Sequence, residues 1–194
     1  MKKTEILKDG TKLIIRTLTI ADIDHLMAFY RSLPYDDRKY LKIDVTDKNA
    51  VEKRIRDVEE GKAVRIIALR NNDIAAIGVL NFDIDDWHRS QGEMRVVVSR
   101  EFQRKGLGMI MIRELYLLAA EHKLEKIVAK MMRPQIGARK MCRKLGFHEE
   151  LFIPDYVKDL EEKNQDLVIM TCDMNDLWHE LEFIYHDTDW GRCR

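Results

Sequence analysis

The sequence predicts an α/β fold, a single layered domain with a mixed sheet of about seven strands flanked by helices. Three observations lead there. Short apolar runs alternate with longer stretches of helical period, in the order β-α-α-β-β-β-α-β-α-β-β. No repeat, linker or shift in composition divides the chain, so residues 1–194 read as one domain. Its core spans 11–174, and 175–194 form a terminal helix and tail. Third, a run of valines enters a glycine-bearing turn that opens a long apolar helix.

Each element has its own signal. Residues 11–18 alternate apolar and polar (Leu13, Ile15, Leu18) and read as a first strand. Thr19 then stands as a helix N-cap with Asp22 in the acidic first turn. Ile23, Leu26, Met27 and Tyr30 form one apolar helix face, ended by Pro34. After a charged, tyrosine-rich connector (35–44), a second helix covers 47–60 and stops at Gly61. Runs 64–69 and 74–82 flank Arg70-Asn71-Asn72-Asp73, a hairpin signal. A polar turn, 83–90, precedes the strand that begins at Glu93. A helix over 109–122 and a strand over 126–131 come next. A helix over 136–145 then closes at Gly146. Strands at 147–152 and 166–172 are joined by a charged loop, and a helix covers 177–185. The apolar residues of that last helix (Leu177, Trp178, Leu181, Phe183, Ile184) suit either a cap on the core or a homodimer contact.

Composition excludes several classes. Lys+Arg and Asp+Glu both number 34, so there is no general attraction to nucleic acid or to an anionic membrane. No apolar run approaches the ~20 residues of a membrane span, and the first ten residues lack the apolar stretch of a secretory signal. Cys142, Cys172 and Cys193 are odd in number and far apart, which speaks for a reducing cytoplasmic setting and against a disulfide framework. His179, Glu182 and His186 fall on one helical face, but Phe183 stands where a HExxH helix has its second histidine, and no metal is expected.

The informative stretch runs from Glu93 to Met109. Val96, Val97 and Val98 read as a buried strand, and Gln103-Arg104-Lys105-Gly106-Leu107-Gly108 leads into the helix. First-turn N–H groups of a helix have no internal partner, and the helix dipole favours negative charge there. Gly106 and Gly108 allow close backbone approach. The chemistry this suits is binding of a pyrophosphate. The spacing is neither GxxxxGK[ST] nor GxGxxG, since Met111 occupies the third glycine position.

Gln103, Gly106 and Gly108 fit the pattern Q/R-x-x-G-x-G/A. With the valine strand before it and Lys144-Leu145-Gly146-Phe147 after it, the segment resembles the GCN5-related N-acetyltransferase (GNAT) superfamily. The similarity covers most of 11–174. It implies a mostly antiparallel sheet splayed between the fourth and fifth strands, with acetyl-CoA as co-substrate in the cleft between them. It further implies that the backbone of Val96, Val97 and Val98 holds the pantetheine arm. The turn of Gln103, Arg104, Lys105, Gly106, Leu107, Gly108 and Met109 would then hold the pyrophosphate. Gln135 and Cys142 fall at the positions of the family's later Asn and Tyr. The N-terminal part (Arg38, Tyr40-Leu41 among others) and the Glu93–Val98 strand look similar to bacterial GNAT domains that acetylate protein lysines.

Acyl transfer to an amine requires a proton to leave an ammonium whose ordinary pKa is about 10.4. In relatives, a glutamate at the offset of Glu93 from Gln103 is the general base. Glu93 shares a strand face with Arg95 and Val97. Burial would raise its pKa into a useful range, whereas pairing with Arg95 would lower it and make a plain ion pair. A thiol at Cys142 can protonate the leaving thiolate, but a helical cysteine is more commonly a small core residue. Tyr116 and Tyr156 are the other candidate acids. The resulting expectation is an acetyl-CoA-dependent N-acetyltransferase acting on a primary amine, with the similarity pointing to a protein lysine. The alternative is an acyl-CoA-binding module without catalysis.

Overall fold

A computed structural model describes residues 2–82 and 88–187, the last three of these without their side chains. Five residues of the polar turn expected over 83–90, among them Asp83, Asp85 and Asp86, lie outside the described residues, as do the last seven residues with Cys193.

Eight strands form one sheet: β1 (Lys2–Ile6), β2 (Lys12–Thr17), β3 (Ala63–Arg70), β4 (Asp73–Phe82), β5 (Gln91–Val98), β6 (Lys126–Met132), β7 (His148–Lys158) and β8 (Asn164–Asp173). Their order is β1-β2-β3-β4-β5-β6-β8-β7. Every pairing is antiparallel except β5 with β6, which is parallel. Parallel neighbours need a crossover, and α4 (Leu107–Glu121) supplies it. The other helices are α1 (Ile23–Ser32), α2 (Tyr35–Arg38), α3 (Lys48–Glu59), α5 (Ile136–Lys144) and α6 (Met174–Asp187).

Two apolar layers sandwich the sheet. One gathers the inward faces of α4 and α6, with Leu107, Ile110, Met111, Leu115, Leu177 and Leu181 all essentially buried. The other gathers α1 and α3, with Leu26, Met27, Val51 and Ile55 against Ile67 and Ile77. Leu177 and Leu181 cap the core from α6, while Trp178 stacks on Tyr116 with ring centroids 5.4 Å apart.

Three expectations are corrected. The sheet has eight strands, because Lys2–Ile6 forms an edge strand paired with β2. Its residues are charged and almost all exposed, so no apolar alternation marks it; charge on an edge strand also discourages pairing with another chain. Lys3 and Glu5 instead reach α4, where Lys3 Nζ donates to the fully buried Glu114 at 2.6 Å and Arg113 donates to Glu5 at 2.5 Å. Second, part of the connector at 35–44 is a short helix, α2, with Pro34 as its N-cap. Third, β7 continues well past Phe152 to Lys158, through an irregularity in register between Ile153 and Val157 where Asp155 has φ +50°.

The start of α1 follows the sequence signal closely. A 3-10 turn, Ile20–Asp22, leads into it. The Asp22 carboxylate accepts from the Thr19 N–H at 2.9 Å and the Thr19 hydroxyl at 3.0 Å. Both nitrogens of Arg16 also donate to it, at 2.7 and 2.6 Å.

Candidate acetyl-transfer site

The sheet opens at one place. β5 and β6 pair at only three positions, Gln91 with Lys126, Gly92 with Ile127 and Glu93 with Val128. Beyond Glu93, β5 stays with β4 as far as Val98, while β6 stays with β8 as far as Met132. The two strands therefore part directly after Glu93. This is the splay expected between the fourth and fifth strands, moved one number on by the extra edge strand.

A hollow lies on each side of the gap. Toward α4 and α5 is an apolar one of about 200 Å³, lined by Met94, Val96, Ala129, Met131, Gln135 and Cys142 among others. Toward α1 and α3 is a larger one of about 840 Å³, reaching Tyr30, Arg54, Arg65, Glu93 and Glu150. Leu41, Lys42, Arg95, Val97 and Lys130 line both, so the two hollows meet through the opened sheet.

Alternation along β5 decides which side each residue serves. Met94, Val96 and Val98 pack on the α4 side and Val97 on the α1 side. Glu93 and Arg95 share the Val97 face, as the sequence predicts.

The glycine turn follows the end of β5 and adjoins Met141, a residue of the smaller hollow. Gln103 Nε2 donates to the carbonyl of Val98 at 3.1 Å and ties the turn to the end of β5. Gly106 is the N-cap of α4 with φ +93°, a left-handed conformation that penalises any residue with a Cβ. The N–H groups of residues 104–108 have no acceptor among the described residues. A Cβ on Gly108 would lie 3.6 Å from Met141, which lines the hollow, and 3.9 Å from Val98. An oxyanion fits here by the chemistry of the donors: unpartnered amides at the N-terminus of a 15-residue helix. The side chains of this stretch do other work. Leu107 is fully buried in the core, Met109 packs against it, and Lys105 pairs with Asp9 at 3.1 Å.

Glu93 is largely buried and faces three cations. Lys42 Nζ donates to its Oε1, an Arg95 guanidinium nitrogen lies 3.3 Å from the same oxygen, and Lys130 Nζ lies 3.7 Å from Oε2. Burial by itself would push this carboxyl up. The Lys42 hydrogen bond and the charges of Lys42, Arg95 and Lys130 outweigh it and hold Glu93 below the usual carboxylate range. The rise expected from burial alone is thus reversed. Burial also pulls Lys42 below the ordinary ammonium value, against the opposing pull of Glu93.

The other predicted residues separate. The side-chain carbonyl of Gln135 accepts from the Met132 N–H at 2.8 Å at the start of α5. Cys142 lines the apolar hollow and packs against the core, and burial pushes its thiol up to about 11, so it stays protonated at neutral pH. Tyr116 is occupied with Trp178, and Tyr156 is exposed on β7; neither lines the gap. Tyr40 does line the smaller hollow. Sequence reasoning missed Lys42 and Lys130 altogether. They reach Glu93 from the strap after α2 and from β6, and no local spacing marks either. Among the described residues, no three metal-ligating side chains converge. The side chain of His186 lies outside them.

A gap between a parallel strand pair, with free-standing amides at a helix N-terminus beyond it, is the arrangement that the acetyltransferase resemblance implies. The family described as acetyltransferase (GNAT) domain matches residues 12–148, and the chain belongs to it. It is an acetyl-CoA-dependent N-acetyltransferase. No curated protein matches in sequence. Solved structures share the fold. The protein yncA from Salmonella typhimurium, solved with its cofactor acetyl-CoA, is 17% identical over 84% of this chain and 94% of its own, TM-score 0.71. A ribosomal-protein-alanine N-acetyltransferase from Brucella melitensis is 19% identical over 82% and 98%, TM-score 0.70. A spermidine N-acetyltransferase chimera from Vibrio cholerae and hSSAT is 16% identical over 86% and 98%, TM-score 0.70. No described helix is long and apolar enough to cross a membrane.

Proposed function

We propose that acetyl-CoA enters the smaller hollow and that a primary amine, a lysine of a protein, meets its thioester from the larger one. The observation that carries this is the meeting of the two hollows at Lys42 and Arg95, both of which contact Glu93. In this reading, the amides of residues 104–108 hold the pyrophosphate, the pantetheine arm lies along Val96, Val97 and Val98, and Gln135 and Cys142 border it.

Acetyl-CoA supplies an activated acyl group with a thiolate leaving group. The chain supplies the rest. Glu93 draws the incoming ammonium to the gap and accepts its proton, directly or through water. A carboxylate held this acidic is a modest base, so its chief contribution is to position the amine. Strand N–H groups at the gap stabilise the oxyanion. Lysine is favoured as the acceptor because a lysine head group, that of Lys42, already fits against Glu93. Among fold neighbours, one is a ribosomal-protein-alanine N-acetyltransferase and another a spermidine N-acetyltransferase chimera, so the fold does not choose between protein and small-molecule acceptors.

The three cations around Glu93 favour a second reading, in which the chain binds acyl-CoA and transfers nothing. Calorimetric titration with acetyl-CoA, beside Gly106→Glu, tests the binding shared by both readings. Release of CoA thiol with a panel of lysine peptides and small amines, beside Glu93→Gln, separates them. Binding without CoA release from any acceptor would leave only the module.

A further inference from the structure

Lys42 stands where an acceptor has to stand. The strap that carries it passes between the two hollows, and its side chain lines both. Its ammonium hydrogen-bonds Glu93 Oε1, the oxygen assigned above to an incoming amine. Val97 and Arg95, on the same strand face, line both hollows with it. The apolar hollow is lined both by Met141, the nearest neighbour of Gly108, and by Lys42. In the proposed binding mode, an arm anchored by its phosphates at the glycine turn lies in the hollow that Lys42 lines.

We propose that Lys42 is itself an acetylation site, modified in cis by the acetyl-CoA bound to the same chain. The inference rests on the functional reading above. The Lys42 ammonium loses a proton toward Glu93, and its nitrogen lone pair attacks the thioester carbonyl carbon. An N–C bond forms, the C–S bond breaks, and the sulfur leaves as thiolate. The nitrogen then gives up its second proton. One of the two protons ends on the CoA thiol and the other in solvent. Burial pulls Lys42 below the ordinary ammonium value, which brings the reactive neutral amine within easier reach. Acetylation removes its charge and takes one of three cations from Glu93.

The test incubates the full chain with isotope-labelled acetyl-CoA and follows each lysine by peptide mass spectrometry. Lys140 and Lys144, exposed on α5, report chemical acetylation. Lys42 is expected to label about tenfold faster than either, since a held nucleophile gains from proximity. The rate constant stays the same when the protein is diluted, and excess CoA or Gly106→Glu suppresses it. Labelling of Lys42 no faster than Lys140, or a rate that scales with protein concentration, or insensitivity to excess CoA, overturns the inference. Calorimetry on the same sample separates the failures. Acetyl-CoA binding without Lys42 labelling sinks the inference and leaves the proposed function standing; absence of binding sinks both.

Discussion

The ammonium of Lys42 and the carboxylate of Glu93 meet across 51 positions of sequence, at the point where two neighbouring strands separate. This contact determines how the enzyme responds to pH. A carboxyl held below its usual range is ionised throughout the working range and protonates only in stronger acid. Rate loss between about pH 9 and pH 6 then reports the acceptor ammonium, with kcat/KM falling close to tenfold per pH unit. Glu93→Gln is expected to lower kcat about 100-fold by the same factor at every pH in that window, with acetyl-CoA affinity nearly unchanged. Steady-state pH profiles of the two proteins check this; an acid limb that moves on substitution would show that Glu93 titrates there.

Gly106 has φ +93°. Gly106→Ala keeps the side chain small and isolates the backbone cost, about 1–2 kcal/mol for an L-residue in the left-handed region. For a chain of this size that lowers the melting temperature by about 2–8 °C. The same strain loosens the amides, so the affinity for acetyl-CoA drops too. A thermal scan and a titration on one preparation measure both.

Asp22 gives the fold an acid-sensitive lock. The Arg16 guanidinium, against the cost of burial and with help from the Thr19 N–H and hydroxyl, holds its carboxyl at about 2. A depressed folded pKa contributes stability that is present above the unfolded value and lost as pH falls through the folded one. The contribution is about 2 kcal/mol at pH 7, fading between about pH 4 and pH 2. Asp22→Asn is expected to be destabilised by that amount at neutral pH and to converge on the parent near pH 2. Urea denaturation across that range reads the difference.

Glu114 is fully buried yet ionic, held by Lys3 at 2.6 Å and Arg113 at 2.6 Å. Both cations are partly exposed and Arg113 keeps Glu5 as a partner, so losing the carboxylate strands neither charge in the interior. Glu114→Gln is expected to cost about 1–3 kcal/mol, and Lys3→Ala less than 1 kcal/mol because Arg113 remains. Hydrogen exchange of β1 amides should rise in both variants, more in the first.

Most of the fold is legible in the sequence wherever burial leaves a period. The valines of β5, the apolar faces of α1 and α3, and the Asn71-Asn72 hairpin are local signals, and each element formed where its signal lies. The edge strand is not legible. Lys3 and Glu5 point at ion partners more than 100 residues away, and to a local pattern they look like an ordinary charged terminus. The site divides in the same manner. Its proposed phosphate end is written in adjacent residues, Gln103 to Gly108. Its chemical end is assembled from β5, β6 and the strap after α2, so Lys42 and Lys130 leave no trace in spacing. The direction of the Glu93 shift followed from those two unseen neighbours together with Arg95.

Three rungs are all that join β5 to β6. In mechanical terms the sheet is a book with two leaves, β1 to β5 and β6 to β8, bound along a short spine. In the proposed binding mode, acetyl-CoA threaded through the opening would stitch the leaves together with main-chain bonds of its own. Occupancy by acetyl-CoA at about a hundred times its Kd adds about 2.7 kcal/mol to the folded state. On that proposal the unliganded enzyme would be the looser one, its rigidity rising and falling with the acetyl-CoA supply around it.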